Sequence, residues 1–98
     1  MIIDSHCHLE YEPMSLELKE TVSRANKDGV KYLLTISTTD SSLKKILKIT
    51  SDFSCVYGTY GIHPHEAKNH KNLKSEEIIN KVNLSNKIIG IGETGLDF

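Results

Sequence analysis

No sign of charge dominates this sequence: 12 Lys+Arg stand against 13 Asp+Glu in 98 residues, a formal net charge of -1. That excludes a broad basic surface that holds nucleic acid by counterion release, so a polyanionic substrate would have to be gripped through metal ions. Long apolar runs are missing too. The densest stretches, YLLTI at 32–36 and IIGIG at 88–92, fall far short of the roughly 20 residues that cross a bilayer, and no membrane span is expected. The N-terminus has neither the basic nor the apolar region of a signal peptide, because Asp4 and His6 come almost at once, and a cytoplasmic location is the expectation. Cysteine is scarce. Cys7 and Cys55 each lie in a stretch of strand character, and an intervening strand would hold their Cα atoms beyond the roughly 7 Å that a disulfide tolerates, so free, buried thiols are expected. Low-complexity segments are absent, and 38% hydrophobic with 26% charged residues is ordinary for one globular domain.

What the sequence does contain is a repeating alternation. Residues 2–8, IIDSHCH, read as a strand, and Pro13 breaks the chain soon after. From Ser15, the residues Leu18, Val22 and Ala25 recur at helical spacing until Gly29, which suits the left-handed position after a helix end. VKYLLTIS at 30–37 is a second strand, followed by Thr39 or Asp40 as N-cap of a helix carrying Leu43, Ile46 and Leu47. CVYGTYGI at 55–62 is a third strand, Ser75 caps a short helix with Ile78, Ile79 and Val82 on one side, and KIIGIGE at 87–93 is a fourth strand.

Strands that return through helices form a parallel sheet, and right-handed crossovers gather the helices on one side. The fold class expected is therefore α/β, with parallel (βα) units forming the first four strands of a TIM-type (βα)8 barrel, incomplete at 98 residues. Strand starts at 2, 30, 55 and 88 lie 28, 25 and 33 residues apart. Eight such units would need about 230 residues, close to the ~250 of a complete barrel. A doubly wound sheet is the competing arrangement, but no Gly-rich phosphate-binding turn follows the first strand.

Working residues of such barrels sit at the C-terminal ends of the strands. Coordinating side chains recur at that end: His6 and His8 close the first strand, His63 and His65 follow the third in GIHPH, and Glu93 closes the fourth. Strand alternation puts His6 and His8 on one face with Cys7 on the other, and two neighbouring imidazoles are half of a metal site. A purely structural histidine pair is the competing reading. Asp4, in phase one step deeper, could accept a hydrogen bond from a ligating imidazole and fix its tautomer. Alternation also places Glu93 with Ile89 and Ile91, leaving Gly90 and Gly92 on the side where a helix could pack closely. A carboxylate at the end of a buried strand is costly unless paired or bound to a cation. His63, held extended by Pro64, and His65 could lean over the mouth of the sheet toward substrate, whereas His70 in KNHKN reads as surface.

DSHCHLE at 4–10, GIHPHEA at 61–67 and IGETGLDF at 91–98 together resemble the TatD family of metal-dependent deoxyribonucleases, amidohydrolase-like barrel enzymes. The resemblance covers essentially the whole chain and implies that residues 1–98 are the N-terminal part of a TatD-type barrel domain. It further implies two divalent ions (Mg, Mn or Zn), with His6 and His8 on one and Glu93 bridging to a second, His63 and His65 on the substrate side, and DNA as substrate. The family's remaining ligands, two histidines and an aspartate on later strands, have no counterpart here, so no catalytic residue is assigned and the 98-residue chain is expected to be inactive or incomplete. Phe98 stands where the family often has tyrosine. The alternative is a non-catalytic remnant, or a half-barrel that self-associates or pairs with a missing barrel half and still binds divalent metal. PHP-type phosphoesterases and amide-cleaving barrels also open on HxH, but GIHPH and GETGLDF favour the TatD likeness.

Overall fold

The computed structural model describes residues 2–12, 16–62 and 75–94 of the chain. Among them, four strands alternate with three helices: β1 (Ile2–Cys7), α1 (Leu18–Lys27), β2 (Val30–Thr35), α2 (Ser42–Asp52), β3 (Val56–Tyr60), α3 (Ser75–Val82) and β4 (Ile88–Ile91). The strands form one parallel sheet in the order β1-β2-β3-β4. This is the α/β series of (βα) units expected from the sequence. No described helix is long and apolar enough to cross a membrane.

The strands are shorter than the apolar runs suggest, because side chains and offset carbonyls take over from the ladder at their carboxyl ends. The Leu9 N–H donates to Thr35 Oγ1 at 3.1 Å, and the Ser37 N–H to Thr59 Oγ1 at 3.3 Å. At its other end, α1 stops where the Gly29 N–H reaches Asn26 O, with Gly29 at φ 100°, a left-handed geometry that costs glycine little. The start of α2 is held by a reciprocal pair: the Ser42 N–H donates to Thr39 Oγ1 at 3.2 Å, and the Thr39 N–H to Ser42 Oγ at 3.3 Å. Asp40, the other candidate cap, is engaged elsewhere. Its carboxylate accepts the Tyr60 hydroxyl at 2.6 Å and pairs with Lys81, tying the loop after β2 to β3 and α3. Burial of Tyr60, then the Asp40 carboxylate beside its hydroxyl, push that phenol's ionisation upward. The carbonyls at the C-terminal end of α2 are satisfied by Lys87, whose ammonium donates to Thr50 O, Phe53 O and Ser54 O at 3.1–3.3 Å and lies 4.4 Å from the Tyr57 ring centroid.

All the helix-borne core residues lie on one side of the sheet. Val22 of α1 and Ile49 of α2 pack with Leu9, Leu33 and Val56, and Leu43 and Ile46 of α2 pack with Tyr60 and Ile88. Each fully buried aliphatic side chain of this kind stabilises the fold by about 1.5–3 kcal/mol. The opposite face carries Ile3, Ser5, Tyr32, Leu34, Tyr57 and Ile89 around a shallow apolar hollow of about 290 Å³. No described helix covers it, and Ile3 and Ile89 are 55% and 60% exposed.

The sequence pattern suggested close helix packing at Gly90 and Gly92, but the structure places it elsewhere. A Cβ on either glycine would meet only the Thr59 side chain, at 3.7 and 3.9 Å, because their neighbour on that side is β3. The tight approach of a helix is at Gly58, where a Cβ would collide with Ile46 Cγ2 and press on Ile88 Cδ1 at 3.1 Å. Gly58→Ala should therefore lower stability by about 1–3 kcal/mol, the usual cost of overpacking a filled core. The measurement is urea unfolding, and an unchanged midpoint would mean that α2 does not seat on β3 at this position.

Candidate metal centre

β1 does not alternate plainly. Ile3 and Ser5 line the open face, yet Cys7, of the same parity, packs in the helix-side core, and the ladder to β2 is irregular between Asp4 and Cys7. An irregularity of this kind re-aims the side chains beyond it. It puts His6 and His8 on the open face at the end of the strand and removes Asp4 from their phase. The two rings meet edge to face with centroids 5.2 Å apart.

From the other edge of the sheet, β4 brings Glu93 to the same place. Gly61 makes this possible: a Cβ there would lie 2.6 Å from both Gly92 C and Glu93 O, so only a bare backbone lets the end of β4 pass over the end of β3. The Gly92 N–H donates to Tyr60 O at 2.9 Å, Thr59 Oγ1 donates to Gly92 O at 2.9 Å, and the Glu93 N–H reaches Ser37 O at 2.8 Å. Glu93 Oε2 then lies 3.7 Å from His6 Nε2 and 3.4 Å from His8 Nε2. One ligand atom from each of His6, His8 and Glu93 falls within 4.8 Å of the others.

These separations suit one cation. Ligand atoms at about 2.1 Å from a tetrahedral ion lie about 3.4 Å from one another. The imidazole of His8 is also held in a suitable orientation. Its Nδ1 lies 2.9 Å from Ile36 O and 3.2 Å from Glu10 Oε1, both acceptors, so Nδ1 carries a proton and Nε2, facing Glu93, is the atom left to ligate a metal. Tyr11 covers the ring from one side, stacked at 4.8 Å with an interplanar angle of 9°, and its hydroxyl is paired with Thr38 Oγ1.

The sequence-predicted residues are thus distributed as follows. His6, His8 and Glu93 come together. Asp4 does not receive a ring N–H among the described residues; its Oδ1 accepts the His6 backbone N–H at 3.1 Å, because the strand irregularity separates it from the imidazoles. His63 and His65 lie outside the described residues. The carboxylate beside His8 is Glu10, which sequence reasoning passed over although it follows the histidine by only two positions.

Residues 3–98 match the family described as TatD related DNase. The chain belongs to that family. A Buchnera aphidicola (subsp. Baizongia pistaciae) protein named as an uncharacterized metal-dependent hydrolase is 35% identical over 102 residues, covering 99% of this chain and 37% of its own length. A Danio rerio protein provisionally named a deoxyribonuclease is 27% identical over 103 residues, covering 98% of this chain and 39% of its own. The crystal structure of YJJV, a TatD homolog from Escherichia coli K12, superposes with a TM-score of 0.78 at 24% identity, over 98% of this chain and 38% of that one. The TatD-related chain described here therefore spans well under half the length of these relatives, and its sheet is an incomplete portion of their barrel.

Cys7, between the two histidines, turns its thiol to the helix side, where Sγ donates to Leu34 O at 3.4 Å, and both cysteines are free thiols. Burial, then the negative charges of Asp4 and Glu10, push the Cys7 thiol from 9.0 up to about 12. Between those values the unfolded chain binds fewer protons than the folded one, so stability falls as pH rises through the window. Urea melts from pH 8 to 11 should show the wild type losing stability relative to Cys7→Ala. Alkylation of Cys7 at pH 8 should also be slower in folded than in unfolded protein, and equal rates would contradict the burial.

Proposed function

We propose that the chain is the N-terminal part, residues 1–98, of a metal-dependent phosphodiesterase domain acting on DNA, with His6, His8 and Glu93 as ligands of a divalent cation. The observation that carries this reading is the meeting of His6 Nε2 and His8 Nε2 on one oxygen of Glu93, at 3.7 and 3.4 Å, from opposite edges of the sheet. Two neutral imidazoles and a carboxylate form a mixed donor set that suits zinc, manganese and related ions. A bound divalent ion would supply Lewis-acid charge to a scissile phosphate and acidify a coordinated water. The chain's own part is to hold the donors in place: Ile36 O sets the His8 tautomer, and Ser37 O and Gly61 fix the backbone of Glu93.

The near balance of basic and acidic residues fits this division of labour, since metal charge then does the work of attracting the phosphate. The names of the relatives, a metal-dependent hydrolase and a provisional deoxyribonuclease, support the reaction class. His63 and His65 complete the proposal on the substrate side, and a second ion sharing Glu93 is part of it. The uncovered strand face with Ile3, Tyr32 and Ile89 is the surface on which further barrel strands would close.

Calorimetric titration with Mn²⁺ or Zn²⁺ tests the ligand assignment. Wild-type protein should take up the ion, and His6→Ala, His8→Ala and Glu93→Gln should each weaken uptake by about tenfold or more. Cleavage of single-stranded DNA with Mn²⁺ should be abolished by EDTA, and it should be far faster for a version carrying further barrel strands than for the 98 residues alone. Uptake unchanged in all three variants would refute the site.

A further inference from the structure

Glu10 is the one described residue of its kind that is both charged and fully enclosed, with its side chain 1% exposed. An enclosed carboxylate is expensive unless each oxygen is engaged, and here each is. Thr35 Oγ1 donates to Oε2 at 2.6 Å, while Oε1 lies 3.2 Å from His8 Nδ1. Thr35 Oγ1 in turn accepts the Leu9 backbone N–H at 3.1 Å. The hydrogen bonds converge on Glu10: the Leu9 N–H donates to Thr35 Oγ1, the Thr35 O–H to Glu10 Oε2, and His8 Nδ1–H to Glu10 Oε1, with His8 Nε2 on the far side of the ring facing Glu93. Glu10 lies on the Nδ1 side of the ring, away from the gap between His8 Nε2 and Glu93, so it is not itself in the donor set.

Resting on the metal-site reading above, we propose that Glu10 is a positioning residue for the cation: held by Thr35, its negative charge acts through His8 to fix the ring and make Nε2 a stronger donor. Ile36 O alone could set the tautomer, but a neutral carbonyl cannot supply that charge. A purely architectural role would require only that the two terminal atoms be hydrogen-bonded, and glutamine can meet that with the same shape, its Oε1 accepting from His8 and its amide N–H donating to Thr35 Oγ1 once the hydroxyl turns.

The test compares Mn²⁺ and Zn²⁺ affinity at one fixed pH in wild type, Glu10→Gln, Glu10→Asp and His8→Ala, with urea unfolding of each metal-free protein alongside. Glu10→Gln should stay folded yet bind about 10–100-fold more weakly, the usual loss when a carboxylate behind a ligating imidazole is neutralised. Glu10→Asp, which keeps the charge, should recover part of the affinity. Long-range ¹H–¹⁵N NMR of metal-free wild type should show His8 protonated at Nδ1, and in Glu10→Gln the Nδ1 resonance should move while that of His6 does not. Wild-type affinity in Glu10→Gln together with weakened binding in His8→Ala would overturn the role of Glu10 and leave the metal site standing. Wild-type affinity in His8→Ala would instead sink the metal reading, and this inference with it. Should Glu10→Gln fail to fold, the wild-type spectrum decides: His8 protonated at Nε2 would refute the arrangement.

Discussion

Two consecutive carbonyls at the end of β2 hold the two halves of the site. Ile36 O accepts the ring N–H of His8 at 2.9 Å, and Ser37 O accepts the backbone N–H of Glu93 at 2.8 Å. Extended backbone turns successive residues to opposite sides, and both hydrogen-bonding groups of each residue follow. Ile36 also takes Cys7 O through its N–H, toward β1, whereas the Ser37 N–H takes Thr59 Oγ1, toward β3. The candidate donors from the outer strands, His6 and His8 at the end of β1 and Glu93 just past β4, therefore converge over the middle of the sheet because the end of β2 reaches out to both.

That convergence has a steric condition and a polar one. The steric condition is Gly61, where any side chain would displace the backbone of residues 92–93. The polar condition is the set of enclosed hydroxyls at the carboxyl ends of the strands. Thr35, Ser37, Ser42 and Thr59 are all buried, and each bonds a neighbouring strand end or loop. These groups replace the ladder where the strands stop, so their backbone partners are satisfied without regular pairing. The helix-side core is built differently, from aliphatic packing.

The open strand face sets the context in which this site works. Apolar residues that a finished barrel would enclose, Ile3, Tyr32 and Ile89 among them, stand exposed beside the donors. The chain matches well under half the length of its relatives, and the open face corresponds to the inner surface of a barrel of which these are four strands.

Much of this was legible in the residue order. Apolar runs bounded by Gly29, Ser75 and the hydroxyl-rich loop at 37–42 specify strand, helix and parallel return, since each element buries one face at its own period. The carboxylate closing KIIGIGE pointed to Glu93, although β4 itself ends at Ile91, and the HxH spacing announced paired imidazoles. Other features have no sequence signature. The carbonyls of Ile36 and Ser37 are backbone atoms common to every residue, and the irregularity that re-phases β1 and strands Asp4 depends on its pairing with β2. Asp40 reads as a helix cap but serves Tyr60 and Lys81 across the fold, and Glu10 reads as a loop acid until Thr35, 25 positions away, closes over it. Local periodicity thus determined the elements and the candidate donors, because both are encoded in neighbouring residues. Only the tertiary structure decided which donors meet and what orients them, because hydrogen bonds between distant strand ends exist only once the sheet has assembled.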